Sequence, residues 1–208
     1  MFQASIKPTG SPPLCRRTAV RLVAVAMLWI VAVWSMPLLA DQNYPHLDPK
    51  TGYRMGYYRA PTPPSAPGAT RLDRQVLQRK IANKEVLLID VIAHVGAGYD
   101  PITGEWYVQQ ERRNIPGSVW LADVGGGHLT PVMARYFKEN LEKLTGGDRS
   151  RAIVIYCQAD CWMGWNAVKR AVGWGYKNVY WYPEGTDDWS KSGLPLEAAA
   201  PVPVTIDD

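Results

Sequence analysis

The chain has 208 residues, and its 23 basic residues outnumber its 19 acidic residues by four. All four excess charges lie in residues 1–40, which contain no acidic residue. Residues 41–208 therefore have no net charge, which removes the electrostatic reason to expect nucleic-acid binding. Their number is typical of one domain with its own core.

Residues 1–40 have the pattern of a secretory signal peptide. Basic residues precede a continuous apolar run over 22–36, and Ala40 places a small residue at a cleavage position. We expect cleavage after Ala40 and export to the periplasm. An uncleaved membrane anchor is the alternative, although the run is shorter than the roughly 20 apolar residues of a comfortable span.

Residues 41–68 are rich in Pro, Tyr and Gly and show little apolar periodicity. The cluster Pro61-Thr62-Pro63-Pro64 is typical of polyproline or linker structure. The tyrosines distinguish this segment from a disordered tail. We therefore expect an extended arm that packs on the domain.

From residue 69 onward, strand and helix patterns alternate. The apolar runs at 86–92 and 152–156 are typical of buried strands. Between them, Thr130 and Pro131 predict the start of a helix that ends at Gly146-Gly147. The other predicted elements are a helix after Asp73, a hairpin within the loop 93–117, strands at 118–121 and 178–182, and helices at 166–172 and 185–191.

This alternation predicts the fold class. Strands separated by helices of these lengths form βαβ units, which lead to a parallel sheet. We expect a single α/β domain over residues 69–197, with a small parallel β-sheet and helices on both faces, followed by a C-terminal tail at 198–208.

The segment with the clearest chemistry follows the strand at 152–156. It reads Cys157-Gln158-Ala159-Asp160-Cys161-Trp162. Cys15 lies in the predicted signal peptide, so the exported protein would have only these two cysteines. The end of a strand is where open α/β sheets place their ligand crevice, so the spacing predicts a site in this loop.

Several segments, in order, resemble a rhodanese domain. They are Leu87-Leu88-Ile89-Asp90-Val91, Ile115-Pro116-Gly117-Ser118, the strand–Cys157–loop–helix unit, and the closing segment from Gly175 to Pro195. The resemblance covers about residues 69–197 and implies the rhodanese-like fold, with Cys157 in the nucleophile position. It also implies that Asp90 faces the Cys157 pocket. The alternative for Asp90 is that it satisfies backbone donors at the end of its strand.

The chain is also similar to a small secreted family named for a Cys-x-x-x-Cys-Trp motif. The family is associated with catabolism by alcohol dehydrogenases that depend on pyrroloquinoline quinone (PQQ). The matching stretches are Gly52–Met55, Arg59–Pro61, Ile115–Leu121, Cys157–Asn166 and Tyr180–Asp187. The resemblance implies a periplasmic accessory role. The partner would be a small thiol or sulfur-bearing substrate, or a protein of the dehydrogenase system, and no cofactor is expected.

The loop departs from that of an active sulfurtransferase. In a rhodanese domain, inward-facing N–H groups and a helix N-terminus lower the thiol pKa and stabilise a thiolate or persulfide. Here Gln158, Ala159 and Asp160 provide no cation for a dianion such as thiosulfate, and Asp160 would repel it. We therefore do not expect generic thiosulfate:cyanide sulfurtransferase activity. Arg113, together with Arg112, is a candidate for supplying the missing charge, although a solvated pair is the simpler interpretation.

The second cysteine makes thiol–disulfide chemistry an alternative to the sulfane-sulfur chemistry that the rhodanese resemblance implies for Cys157. Cysteines four residues apart can bring their Cα atoms within the roughly 7 Å that a disulfide requires. In an oxidising compartment such a pair exchanges with thiols or forms a disulfide. We expect Cys157 to attack, Cys161 to resolve, Trp162 to wall the pocket, and Asp160 to assist proton transfer or, the favoured interpretation, to cap the next helix. The other expected pocket residues are Asp90, Gln158, Ala159, Met163 and Arg113.

Two other classes of function remain open. Cys157, Cys161 and Met163 are soft donors that suit Cu(I), which makes a copper chaperone the second hypothesis. The candidate histidines, each interpreted first as an ordinary surface or loop residue, are His46, His94 and His128. A non-catalytic accessory could instead bind a flat quinone or a partner through its tryptophans, although core packing is the stronger interpretation for them. These tryptophans are Trp106, Trp120, Trp162, Trp165, Trp174, Trp181 and Trp189.

Overall fold

The computed structural model describes residues 44–206 except 95 and 97, together with Met1. The chain divides into two compact units, residues 1–44 and 45–208. The predicted signal peptide belongs to the first unit and, beyond Met1, lies outside the described residues. Within the described part of the chain, no helix is both long enough and apolar enough to cross a membrane.

The second unit is built on a parallel sheet. The described strands are β1 (Thr70–Arg71), β2 (Leu87–Asp90), β3 (Arg112–Asn114), β4 (Ser118–Trp120), β5 (Ile153–Tyr156), β6 (Val179–Tyr182) and β7 (Glu197–Ala199). Five of them form one sheet in the order β1–β6–β5–β2–β4, and every neighbouring pair is parallel. The central strand β5 is buried along its whole length, as expected for a strand covered on both faces.

Four helices are described in the second unit. They are α1 (Arg74–Ala82), α2 (Pro131–Thr145), α3 (Trp162–Gly173) and α4 (Gly185–Lys191). Asp73 caps α1 by accepting from the N–H of Val76 at 2.8 Å, and Thr130 caps α2 by accepting from the N–H of Met133 at 3.2 Å. Gly146 ends α2 with a φ of +64°. The predicted starts of α1 and α2, and the predicted stop of α2, are therefore confirmed.

The strands present alternate side chains to two helical layers. On one face, Leu88, Val154 and Tyr182 join the buried cluster that also contains Leu77 of α1 and Trp189 of α4. On the other face, α3 packs against β5 and β6. Helix α2 lies next to α3: the ring of Phe137 in α2 is 5.2 Å, between centroids, from the ring of Trp174, the C-cap residue of α3. The predicted α/β class, with a parallel sheet and helices on both faces, is confirmed.

Helix α3 starts four residues earlier than the predicted helix at 166–172. Trp162, Met163, Gly164 and Trp165 are all buried, so its first turn has no polar face. Amphipathic periodicity, on which the prediction depended, is absent from a helical turn that is buried on all sides. The prediction was therefore wrong about where α3 begins.

Strands β3 and β7 form a second, two-stranded antiparallel sheet that the sequence pattern does not predict. Both are three-residue strands of mostly exposed or polar residues, with no apolar run to mark them. Beyond β7 the chain stays on the domain: the N–H of Val202 donates to the carbonyl of Trp120 at 3.0 Å, and Val204 is buried. This small sheet brings Arg112 to the carboxyl edge of the large one.

Candidate functional site

The two cysteines of the loop between β5 and α3 form a disulfide. Their Cα atoms are 6.2 Å apart, within the range expected from the sequence spacing. Cys157 follows the last residue of β5, and Cys161 is the N-cap residue of α3. The residues are only 2 % and 6 % exposed, so the oxidised pair is enclosed by protein.

The start of α4 makes backbone contacts with the disulfide loop. The carbonyl of Cys157 accepts a hydrogen bond from the N–H of Thr186 at 3.2 Å, and Gln158 forms an isolated β-bridge with Gly185. Gly185 has a φ of +53°, and a Cβ there would lie 2.6 Å from the Cα of Gln158. Only a glycine therefore allows the two backbones this close approach.

Asp160 does not cap α3, so that prediction was wrong. The N-cap is Cys161, and it makes no side-chain capping bond. Asp160 instead adopts a φ of +51°, a left-handed conformation that Asp tolerates better than most residues. This turn directs its backbone carbonyl to the N–H of Ala60, which donates at 2.9 Å.

The N-terminal arm covers the disulfide loop. We call residues 58–60 the arm strand. Its central residue, Arg59, forms an antiparallel β-bridge with Cys161, and the carbonyl of Tyr58 accepts from the N–H of Trp162 at 2.8 Å. The indole N–H of Trp162 donates to the carbonyl of Pro61 at 3.1 Å. Trp162 therefore meets the arm rather than an open pocket.

Buried polar side chains anchor the preceding part of the arm. Asn166 of α3 accepts from the N–H of Arg54 at 3.0 Å and donates to the carbonyls of Arg54 and Gly125, both at 2.9 Å. The guanidinium of Arg54 lies 4.8 Å from the ring centre of Trp162 and hydrogen-bonds to carbonyls of the arm itself. Sequence reasoning missed both residues, because a single buried polar residue has no periodic signal.

A cleft of about 420 Å³ opens at the carboxyl edge of the parallel sheet. This is where the strand pattern predicted a ligand crevice. Its lining residues include Trp120, Gln158, Thr186 and Asp187, together with the segment 110–113. Gln158, the residue next to Cys157, thus joins the cleft to the disulfide loop. Ala159 and Asp160 line a smaller cavity of about 180 Å³.

Asp90 lies at the base of this region, at the end of β2, and is fully buried. The guanidinium of Arg112 donates to its Oδ2 from Nε at 2.8 Å and from Nη2 at 2.6 Å. Burial raises the pKa of Asp90 to about 6, and the neighbouring Arg112 charge opposes that shift. The Asp90 side chain also accepts from the N–H of Ile92 at 3.0 Å, in agreement with the interpretation that it satisfies backbone donors at the end of its strand.

Arg112, which sequence reasoning placed second to Arg113, is the arginine that reaches Asp90. Alternate residues of a strand point to opposite sides, so Arg112 faces the sheet while Arg113 faces outward. The Arg113 side chain is 59 % exposed and donates to the carbonyl of Leu196 at 2.7 Å on the rim of the cleft. The Arg112 side chain is therefore mostly buried and paired, whereas the Arg113 side chain is largely solvated, as the simpler interpretation expects.

Most of the candidate copper ligands are engaged in other contacts. Cys157 and Cys161 are bonded to each other, and Met163 is buried in the first turn of α3. His94 engages both ring nitrogens, with Nδ1 2.6 Å from Asp123 and Nε2 accepting from the N–H of Gly98 at 2.9 Å. His46 stacks on an arm tyrosine, and His128 is exposed. Among the described residues, no three His, Cys, Asp or Glu side chains cluster as metal ligands.

The tryptophans are mostly core residues. Six of the seven are buried, and five donate their indole N–H to a backbone carbonyl, which is the usual arrangement for a buried indole. These five are Trp106, Trp120, Trp162, Trp165 and Trp189. Trp120 is the member of this set that also lines the cleft.

Comparison with solved structures finds distant similarity. One neighbour is EanB in complex with hercynine, with 19 % identity and a TM-score of 0.42 over 64 % of this chain and 32 % of EanB. A full-length protein from Lactobacillus plantarum has 14 % identity and a TM-score of 0.40, covering 62 % and 87 % of the two chains. The polysulfide-sulfur transferase homodimer from Wolinella succinogenes has 18 % identity and a TM-score of 0.39, covering 62 % and 79 %. The chain spans about one third of the length of EanB.

A search of curated proteins gives no match. Comparison with protein families matches residues 73–192 to the Rhodanese-like domain. The matched segment runs from the cap of α1 to the end of α4 and includes the whole disulfide loop. The match supports sulfur-transfer chemistry for this domain. Because the match covers more than half of the chain, the protein belongs to the rhodanese-like domain family.

Proposed function

We propose that this protein is a periplasmic thiol–disulfide exchange protein in which the pair formed by Cys157 and Cys161 cycles between disulfide and dithiol. The observation that carries the proposal is the disulfide itself, in the loop to which the rhodanese resemblance assigns the nucleophile. It lies at the end of β5, next to a cleft lined by Gln158.

Each exchange balances in atoms and electrons. A substrate thiolate attacks one sulfur of the disulfide, the Cys157–Cys161 bond breaks, and the departing sulfur takes up a proton. A second substrate thiol then attacks the mixed disulfide and releases the protein as a dithiol. Two substrate thiols are oxidised to a disulfide, and the protein disulfide is reduced by two electrons. A sulfane-sulfur step would instead begin from the reduced Cys157 thiolate.

The charges of the site favour exchange over transfer from thiosulfate. Gln158 and Ala159 supply no positive charge, and Asp160 supplies a negative one. The guanidinium of Arg112, which is mostly buried, is already paired with Asp90. Among the described residues of the loop and the cleft, a dianionic donor would therefore find no buried cation without a carboxylate partner, whereas a thiol requires none.

The cellular setting is part of the proposal. The signal-like residues 1–40 support export to the periplasm, where a disulfide persists. The Cys-x-x-x-Cys-Trp motif and the arm sequences Gly52–Met55 and Arg59–Pro61 support an accessory role in PQQ-dependent alcohol catabolism. The partner would then be a small thiol or sulfur-bearing molecule, or a protein of that dehydrogenase system.

The test is the intact mass of the protein recovered from periplasm, before and after a thiol reductant. We expect a mass two hydrogens below the reduced form, restored by reductant, and reversible reoxidation. An added sulfur atom would favour persulfide transfer, and an added copper would favour the chaperone. A protein recovered fully reduced would contradict the exchange function. Cys157→Ser should abolish the redox cycle while leaving the far-ultraviolet circular dichroism unchanged.

A further inference from the structure

The disulfide is closed off by main-chain contacts from the arm strand. The N–H of Trp162 donates to the carbonyl of Tyr58 in the arm strand at 2.8 Å, and the carbonyl of Asp160 accepts from the N–H of Ala60 at 2.9 Å. These two groups flank Cys161, which lies opposite the middle of the arm strand. Both cysteines are almost fully buried, and the arm strand is one of the segments that pack on Cys161.

Side chains add less than the backbone to this contact. The guanidinium of Arg59 pairs with Asp187 at 3.0 Å, but both side chains are about half exposed, and such pairs contribute little. The hydroxyl of Tyr58 accepts from the N–H of Gly127 at 2.9 Å. The bridge to the loop itself is made by backbone groups, so a polypeptide of another sequence could form it.

When the arm strand is displaced, the N–H of Trp162 and the carbonyl of Asp160 need new hydrogen-bond partners. Buried backbone donors and acceptors that lose their partners are costly. A small thiol without amide groups cannot supply both an acceptor for the N–H of Trp162 and a donor for the carbonyl of Asp160. An extended polypeptide can, by adding a strand as the arm does.

Building on the exchange function, we propose that the face of the loop around Cys161 is a docking edge for an extended, cysteine-bearing polypeptide. The arm strand occupies this edge at rest and is displaced during exchange. The polypeptide then lies opposite Cys161, so Cys161, rather than the expected Cys157, is the cysteine that meets the substrate.

The exchange at this edge is balanced. A thiolate of the polypeptide attacks Sγ of Cys161, the bond to Cys157 breaks, and Cys157 leaves as a thiolate that is protonated. The mixed disulfide on Cys161 is resolved by a second thiol of the same polypeptide. That thiol forms the polypeptide's own disulfide and releases Cys161 as a thiol.

Trapping tests which cysteine faces the substrate. The probe is a synthetic peptide with one cysteine activated as a mixed disulfide with thionitrobenzoate; cysteine activated in the same way is the small-molecule control. Attack by a protein thiolate releases thionitrobenzoate and leaves the peptide on the protein. With Cys157→Ser, we expect the peptide to react at least about fivefold faster than the small probe, the effect of one net backbone hydrogen bond. Cys161→Ser should react slowly with both. Equal rates for the two probes, or a faster Cys161→Ser variant, would overturn the proposal.

A backbone substitution tests the arm strand in the wild-type disulfide. Ala60→Pro removes the N–H that bonds to Asp160, and Ala60→Gly, which keeps it, is the matched control. Reduction by a small phosphine should be about fivefold faster in Ala60→Pro than in Ala60→Gly. Faster deuterium exchange at the N–H of Trp162 in Ala60→Pro would show that the arm strand has loosened. If the two variants are nevertheless reduced at equal rates, the docking-edge proposal is wrong. If the disulfide still cycles reversibly, the exchange function stands; a disulfide that no reductant opens in either folded variant would overturn both.

Discussion

At the scale of single residues, the Asp90–Arg112 pair determines the electrostatics below the cleft. Burial is the larger influence on Asp90, because its pKa lies above the ordinary value despite the adjacent guanidinium. The folded state therefore holds this proton at pH values where the unfolded chain has lost it. The contribution to stability is present below the unfolded pKa of about 4 and is lost as pH rises through about 6.

Replacing Arg112 with Met should show how much the Arg112 charge opposes the effect of burial on Asp90. The Asp90 carboxylate would stay fully buried without its cation, and its pKa would rise further. We expect a loss of about 3–5 kcal/mol in the free energy of unfolding at pH 8, the range for breaking a buried pair. The loss should be smaller at pH 5, where Asp90 can be protonated. Urea unfolding at the two pH values measures both effects.

The matched control is the double variant Asp90→Asn/Arg112→Met, which has no buried charge at this position. Its stability should lack the extra dependence on pH and should exceed that of Arg112→Met at pH 8. An equal loss at pH 5 and pH 8 in the single variant would show that Arg112 acts through packing, and not through the charge of Asp90.

Gly185 is a second position where a single residue controls the site. Gly185→Ala would bring a Cβ against the backbone of Cys157 and Gln158 at a positive φ. Gly193→Ala also has a positive φ, of +75°, but meets no atom within 4 Å. The control should lose about 1–2 kcal/mol from the φ alone, and Gly185→Ala should lose more. Equal urea midpoints for the two variants would contradict a close approach at Gly185.

At the scale of elements, the arm depends on α3 for its position. Asn166, fully buried in the second turn of α3, binds both backbone groups of Arg54 and the carbonyl of Gly125. The helix that follows the disulfide therefore fixes the part of the arm that precedes the arm strand. Loss of this side chain should loosen the arm before it unfolds the sheet.

Asn166→Ala should lower the free energy of unfolding by about 3 kcal/mol, because buried backbone groups lose their partners at about 1–3 kcal/mol each. The amide of Arg54 should exchange with deuterium faster than amides of β5. Asn140→Ala is the control, since Asn140 is partly exposed and makes one bond, to the carbonyl of Tyr136 at 2.8 Å. Unchanged exchange at Arg54 would show that the arm does not depend on Asn166.

At the scale of the whole molecule, the disulfide closes too short a loop to hold the fold together. Its cysteines are four residues apart. Cross-linking restricts the unfolded chain mainly in proportion to the logarithm of the loop length, so this bond is expected to contribute only about 2 kcal/mol. The buried sheet and its two helical layers should remain folded in the dithiol form, as a cycling pair requires.

Reduction should therefore lower the free energy of unfolding by about 2 kcal/mol without loss of secondary structure. Guanidinium unfolding with and without reductant, followed by circular dichroism, measures the difference. Cys157→Ser/Cys161→Ser should behave like the reduced wild type. Unfolding on reduction alone would assign the disulfide a structural role and count against exchange.

Much of the architecture is predictable from local patterns. The apolar runs of β2 and β5 and the capping residues Asp73 and Thr130 are contiguous signals, and the parallel sheet follows from their alternation with helices. The start of α3 is not predictable in this way, because its first turn is buried all round. The same holds for β3 and β7, which are three residues long, have no apolar run and pair with each other.

For the site, the cysteine spacing and its position after β5 predict a thiol site at the carboxyl edge of the sheet and permit a disulfide there. Those signals are local, since four residues of backbone can bring two sulfurs together whatever surrounds them. The choice of Arg112 over Arg113 as the partner of Asp90, and the bridge from Arg59 to Cys161, depend on contacts between segments tens of residues apart. Such contacts arise only when packing brings the segments together, because partners for buried charges and backbone groups are set by the assembled fold.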